Sequence, residues 1–126
     1  SGGIAFGAAL DYMHGIGFDK IAAYEKELLV YATKALLGIE GLEIYGTAAE
    51  KTAVVSFNIK GLHPYDIGSI LDQMGIAVRT GHHCAQPIMD YYSIPGTVRA
   101  SFSFYNNFEE IDRLVAGVQK AKDMLC

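Results

Sequence analysis

A chain of 126 residues, 51% of them apolar and 19% charged, has the length and composition of one compact domain rather than of a disordered, fibrous or repeat protein. Its formal net charge of -4 argues against the basic footprint of a nucleic-acid or anionic-membrane binder. The longest apolar runs, such as Gly2 to Leu10, fall far below the ~20 residues a bilayer span requires, and no basic segment precedes them.

In chain order, the composition predicts a helix over Ile4 to Met13, with Gly3 and Gly7 spaced to let another backbone approach, stopped by Gly15-Ile16-Gly17. A long amphipathic helix over Phe18 to Leu37 carries Ile21, Leu28, Ala32, Ala35 and Leu36 on one stripe. Leu42 to Tyr45 and Val54 to Ile59 read as strands, the second alternating Val55, Phe57 and Ile59 against Ser56 and Asn58. His63-Pro64 opens a shorter helix that runs to Met74 and stops at Gly75. Ile76 to Arg79 is expected as a short strand, Thr80 to Pro87 as a polar loop, and Ile88 to Tyr92 as a helical turn.

Thr97 to Phe104 alternates, with Val98, Ala100, Phe102 and Phe104 on one face and Thr97, Arg99, Ser101 and Ser103 on the other. Asn107 followed by Glu110 is a capping-box start for the last helix, whose buried stripe is Ile111, Leu114, Val115 and Val118. Helices and strands intermix without a linker or repeat, so the fold class is α/β or α+β with no internal boundary.

The chemistry concentrates in Arg79-Thr80-Gly81-His82-His83-Cys84-Ala85-Gln86-Pro87. A cysteine on a polar loop beside two imidazoles and an arginine sits in the surroundings that activate a thiol, although most free cysteines are inert small hydrophobes. His82, His83 and Cys84 are also zinc-ligand types, but adjacent residues rarely supply three ligands to one tetrahedral ion, so no metal site is expected. Arg99 stands on the polar face of its strand, where a guanidinium can grip a carboxylate through two parallel bonds or form a surface ion pair with one of the fourteen acidic residues. Tyr91, Tyr92, Tyr105 and Phe102 are expected in the core or an interface rather than as stacking platforms. Two cysteines 42 positions apart do not make a secreted disulfide framework, which points to a reducing, cytoplasmic setting.

Val78 to Pro87, with Thr97-Val98-Arg99-Ala100-Ser101-Phe102 and Phe104-Tyr105-Asn106, resembles the C-terminal part of group II, SufS-type, cysteine desulfurases. Ala8 to Tyr12, Val54 to Asn58 and His63 to Gly68 look like the same family, so the resemblance covers essentially the whole chain. It implies the small domain of a fold-type I enzyme dependent on pyridoxal phosphate (PLP), usually a homodimer, that converts L-cysteine to L-alanine and passes sulfur through an enzyme persulfide to an acceptor protein of iron-sulfur assembly. Cys84 then matches the sulfur-accepting nucleophile and Arg99 the arginine that binds the substrate carboxylate. Arg79, His82 and His83 match the loop around the cysteine.

None of the seven lysines sits in the family's Schiff-base motif. The resemblance therefore implies that residues 1–126 are the C-terminal small domain of a longer protein, with no PLP bound and no turnover by themselves. The missing initiator methionine fits that expectation. Other readings are a selenocysteine lyase small domain, a stand-alone sulfur-relay module, or a remnant without chemistry.

Overall fold

The computed structural model describes residues 1–126, all of the chain. Five helices and four strands follow the order α1 (Gly2–Ile16), α2 (Phe18–Leu37), β1 (Leu42–Tyr45), β2 (Val54–Ile59), α3 (Pro64–Gln73), β3 (Arg79–Gly81), α4 (Gln86–Tyr92), β4 (Thr97–Ser101) and α5 (Phe108–Leu125). The strands form one antiparallel sheet in the order β1-β2-β4-β3, giving the mixed α/β class expected.

Strand alternation makes the sheet two-faced. Leu42, Val55, Phe57, Ile59, Val98 and Ala100 point to one side, where α2, α3 and α5 cover them with Leu29, Leu36, Ile67, Leu71, Leu114, Val118 and Ala121. A smaller cluster of Leu28, Ala32 and Ile111 joins α2 to α5. Two glycines let helices come close: a Cβ at Gly68 in α3 would collide with Thr80 Cγ2 of β3, and one at Gly117 in α5 would lie 2.6 Å from Ile76 Cδ1.

Helix α1, expected over Ile4 to Met13, starts at Gly2 and runs on through Gly15 and Ile16 to stop at Gly17. Three further boundaries move, each for a visible reason. The expected strand over Ile76 to Arg79 instead starts at Arg79 and runs to Gly81. Helix α3 ends in a Schellman motif, with the N–H of Ile76 donating to Leu71 O (2.9 Å) and that of Gly75 to Asp72 O (2.9 Å), Gly75 being left-handed at φ 72. Ile76 therefore spends its N–H on the helix end, and sheet pairing begins three residues later. The alternation through Phe104 is cut at Ser101, because Ser103 N donates to Asn106 Oδ1 and Asn106 N to Ser103 O, closing a turn. The expected loop over Thr80 to Pro87 is shorter, since β3 takes its start and α4 its end.

The last helix begins as expected: Asn107 Oδ1 accepts from Glu110 N and the Glu110 carboxylate accepts from Asn107 N. Its stripe is wider than expected and includes Gly117 and Ala121, with Val115 only half-buried. At the other end, α1 forms but buries nothing: Ile4, Phe6 and Tyr12 are exposed, and no atom approaches Gly3 or Gly7. Tyr91 and Tyr105 are likewise on the surface rather than in the core, at 82% and 76% exposure, and Phe102 is half-buried against the core edge.

Candidate active site

The sheet face away from the helices carries the polar partners of the alternation. Register places Tyr45 opposite Ser56, Ser56 opposite Arg99, and Arg99 opposite Arg79, so these four side chains form one row across all four strands. Asn58 and Thr97 stand one alternation along from Ser56 and Arg99 on the same face.

Two like charges directly opposite each other on a sheet repel. Neither arginine has a carboxylate partner, since the one ion pair in the structure joins Lys122 to Glu40. The surface ion pair that composition allowed for Arg99 is thus not formed. Arg99 is half-buried and its Nε is buried without a partner, whereas Arg79 is exposed. The row holds two unneutralised guanidiniums, which suits an anion.

Beside the row lies an open cavity of about 320 Å³. Tyr45, Ser56, Thr97 and Arg99 reach it from the sheet, His83 and Ala85 from the loop after β3, and Met89 and Tyr92 from α4. Tyr92 packs edge-on against Tyr45, ring centroids 5.2 Å apart. Burial, aided by the nearby Glu43 carboxylate, pushes the Tyr45 phenol above its ordinary value, so it stays protonated.

The loop is a tight turn. The N–H of Ala85 donates to His82 O (2.9 Å), and the two residues between, His83 and Cys84, both have positive φ, 55° and 57°. His82 Nδ1 accepts from Cys84 N at 3.1 Å, in the same way that His63 Nδ1 caps α3 by accepting from Tyr65 N at 3.2 Å. His83 turns the other way, its Nε2 lying 3.2 Å from Thr97 O and 3.0 Å from Thr97 Oγ1. Burial and, after it, the positive charge of Arg99 hold the His83 imidazole below its ordinary value, which keeps it neutral. Cys84 is a free, exposed thiol, flanked in sequence by His83 and Ala85, two residues of the cavity wall. Cys126, the other free thiol, lies at the C-terminus.

The structure thus brings Arg79, Arg99, His83 and the Cys84 turn to one side of the sheet, while His82 faces solvent and braces the turn. Sequence reasoning missed Tyr45, Ser56, Asn58, Thr97 and Tyr92. The alternation of β2 set Ser56 and Asn58 on one face, but only the register shows that this is the face of Arg99. Thr97, expected on an open polar face, is 1% exposed because the turn folds over it.

The arrangement has close counterparts. Residues 1–114 match the model of the aminotransferase class-V family. A cysteine desulfurase of Serratia proteamaculans is 48% identical over 125 residues, 99% of this chain and 30% of that protein. The cysteine desulfurase of Thermococcus onnurineus NA1, in its apo form, superposes with a TM-score of 0.85 at 41% identity, over 90% of this chain and 28% of that one. The Escherichia coli cysteine desulfurase CsdA, in an S-sulfonic acid form, gives 0.85 at 30% identity, over 93% and 29%. This chain spans about 30% of the length of the curated relatives it matches. With its whole sheet and nine-tenths of its length matched by one family model, the chain belongs to the aminotransferase class-V family.

Proposed function

We propose that this chain is the C-terminal small domain of a group II cysteine desulfurase, in which Cys84 accepts sulfur from L-cysteine and Arg99 holds the substrate carboxylate. The observation that carries the reading is the pair of unneutralised arginines facing each other beside the cysteine turn. A planar guanidinium at the floor of a cavity receives a carboxylate through two parallel bonds, and the second charge on Arg79 strengthens the hold. Anchored there, an amino acid as short as cysteine keeps its sulfur within the neighbourhood of the turn that carries Cys84.

The reaction balances as thiol chemistry. The Cys84 thiolate attacks the substrate sulfur and an S–S bond forms as the carbon–sulfur bond breaks; the electron pair of that bond stays on carbon, where a bound cofactor would delocalise it, and a proton taken up there gives L-alanine and an enzyme persulfide. That persulfide is the form handed to an acceptor protein of iron-sulfur assembly in this reading.

PLP is the cofactor of the proposed enzyme. The residues of this cavity do not fit a covalently held PLP, because no lysine is among them. They supply the substrate anchor and the thiol, and holding the cofactor falls to a companion domain, with a homodimer as the assembled form. No helix is long and apolar enough to cross a membrane. A cytoplasmic setting follows from the proposed chemistry, which needs reduced thiols.

The test is alanine formation from L-cysteine by the full-length desulfurase carrying this chain. Cys84→Ala should abolish it, and Arg99→Lys, which loses the fork, should raise KM by about tenfold or more. Unchanged alanine production by Cys84→Ala would reassign the chemistry to a lyase that needs no protein thiol.

A further inference from the structure

Two successive residues with positive φ, neither of them glycine, are strained and persist only where the surroundings impose them. In the turn His82 to Ala85 those residues are His83 and Cys84. Two hydrogen bonds close the turn on itself, Ala85 N to His82 O and Cys84 N to His82 Nδ1. Neither reaches the sheet. The β3–β4 ladder ends with Gly81 opposite Thr97, and beyond it the bond from the turn to the sheet is made by His83, whose imidazole reaches back to Thr97 on β4, two residues before Arg99.

The chemistry of that contact defines the imidazole. With its proton on Nε2 the ring donates to Thr97 O, Thr97 Oγ1 sharing it, and no buried N–H is left without an acceptor, as it would be with the proton on Nδ1. Nδ1 is then a bare lone pair, buried and without a partner. A proton placed there would be a buried donor with nothing to receive it, in a site already next to an arginine. The ring is built to hold, not to exchange protons.

We infer that His83 is a positioning residue, with Thr97 as its buried anchor: the Nε2–H bond to Thr97 pins the left-handed turn to β4 and so sets the Cys84 thiol beside Arg99. The inference deepens the proposed function and rests on it, since it gives the loop histidine a role only if Cys84 and Arg99 work on one substrate.

The test uses the full-length protein that carries this chain and compares alkylation of Cys84, read on its peptide by mass spectrometry, by anionic iodoacetate and by neutral iodoacetamide. The ratio of the two rates divides out the thiolate fraction and reports how close the thiol stands to positive charge. A single positive charge within about 4 to 10 Å of a thiol, in a water-like dielectric, is worth about two- to fivefold in that ratio. The wild-type turn should show such an excess over the neutral model thiol N-acetyl-L-cysteinamide, and Arg99→Gln should reduce it.

Thr97→Val and His83→Ala should lower the ratio towards that of the model thiol. His83→Gln, which keeps an N–H near the Nε2 position, should retain it. Should His83→Ala fail to fold by circular dichroism, Thr97→Val and His83→Gln decide. An elevated ratio unmoved by Thr97→Val and by loss of the imidazole overturns the positioning role while leaving the Cys84–Arg99 pairing intact. A wild-type ratio no higher than that of the model thiol overturns both the pairing and the role built on it.

Discussion

Where α3 crosses β3, a Cβ added at Gly68 would meet Thr80 Cγ2 well inside contact distance, with Thr80 Cβ at 3.6 Å and Oγ1 at 3.7 Å. Gly68 is buried in a helix and its φ lies outside the left-handed region, so alanine suits its backbone and only the collision opposes it. Overpacking of this kind costs about 1–3 kcal/mol, and alanine returns about 1 kcal/mol of helix propensity. Gly68→Ala should therefore destabilise by about 1 kcal/mol. Thr80→Ala removes a half-buried methyl and should cost a similar amount, about 1 kcal/mol. In the double variant Cγ2 and Oγ1 are gone, the nearest remaining atom is Cβ at ordinary contact, and the new methyl fills the space. Its stability should match or exceed the wild type, a coupling of about 2 kcal/mol where independent sites add within about 0.5 kcal/mol.

For a chain of 126 residues each kcal/mol moves Tm by about 4 °C, so the single variants should melt about 4 °C low and the double at or above the parent. Urea unfolding followed by far-ultraviolet circular dichroism measures all four proteins, the chain having no tryptophan to report by fluorescence. Additive losses, or a Gly68→Ala protein more stable than the wild type, would refute the close approach and with it the placement of β3, whose first residue is Arg79.

Removal of the α5 cap by Asn107→Ala should cost about 1 kcal/mol in the same assay, since the Glu110 backbone N–H loses the Asn107 Oδ1 acceptor. Hydrogen bonds from the Asn106 side chain, and then from the Asn107 backbone, hold the Glu110 carboxyl below its ordinary value of 4.5. A depressed carboxyl protonates first in the unfolded chain, so this stabilisation is complete above 4.5 and is lost as pH falls through the folded value. Glu110→Gln should flatten the acid limb of the stability profile, and an unchanged limb contradicts the assignment. His83 follows the same sign: its lowered value means the unfolded chain binds the proton first below 6.5, so stability drops as pH falls under that value and His83→Gln should blunt the drop.

The helices and the inner face of the sheet were legible because their signals are local. The 3.6-residue stripe of α2, the Asn107–Glu110 capping pair and the alternation of Val55, Phe57 and Ile59 each depend on residues within one turn or one strand. What stayed hidden depends on register and crossing. Arg79 and Arg99 lie twenty positions apart, and nothing in either strand alone says that they face each other. Thr97 reads as a surface threonine until the left-handed turn at His83 and Cys84, conformations that non-glycine residues seldom advertise, folds the imidazole back onto it. Helix α1 shows the converse: its apolar composition predicts a helix correctly, while its lack of any buried residue shows that composition alone does not say what an apolar surface packs against.

The central claim is that Cys84 carries the sulfur, and the most direct measurement is mass spectrometry of the full-length desulfurase quenched with iodoacetamide during turnover of L-cysteine. The account predicts one additional sulfur on the peptide containing Cys84 and none on that containing Cys126. Alanine released with no sulfur on Cys84 would contradict it.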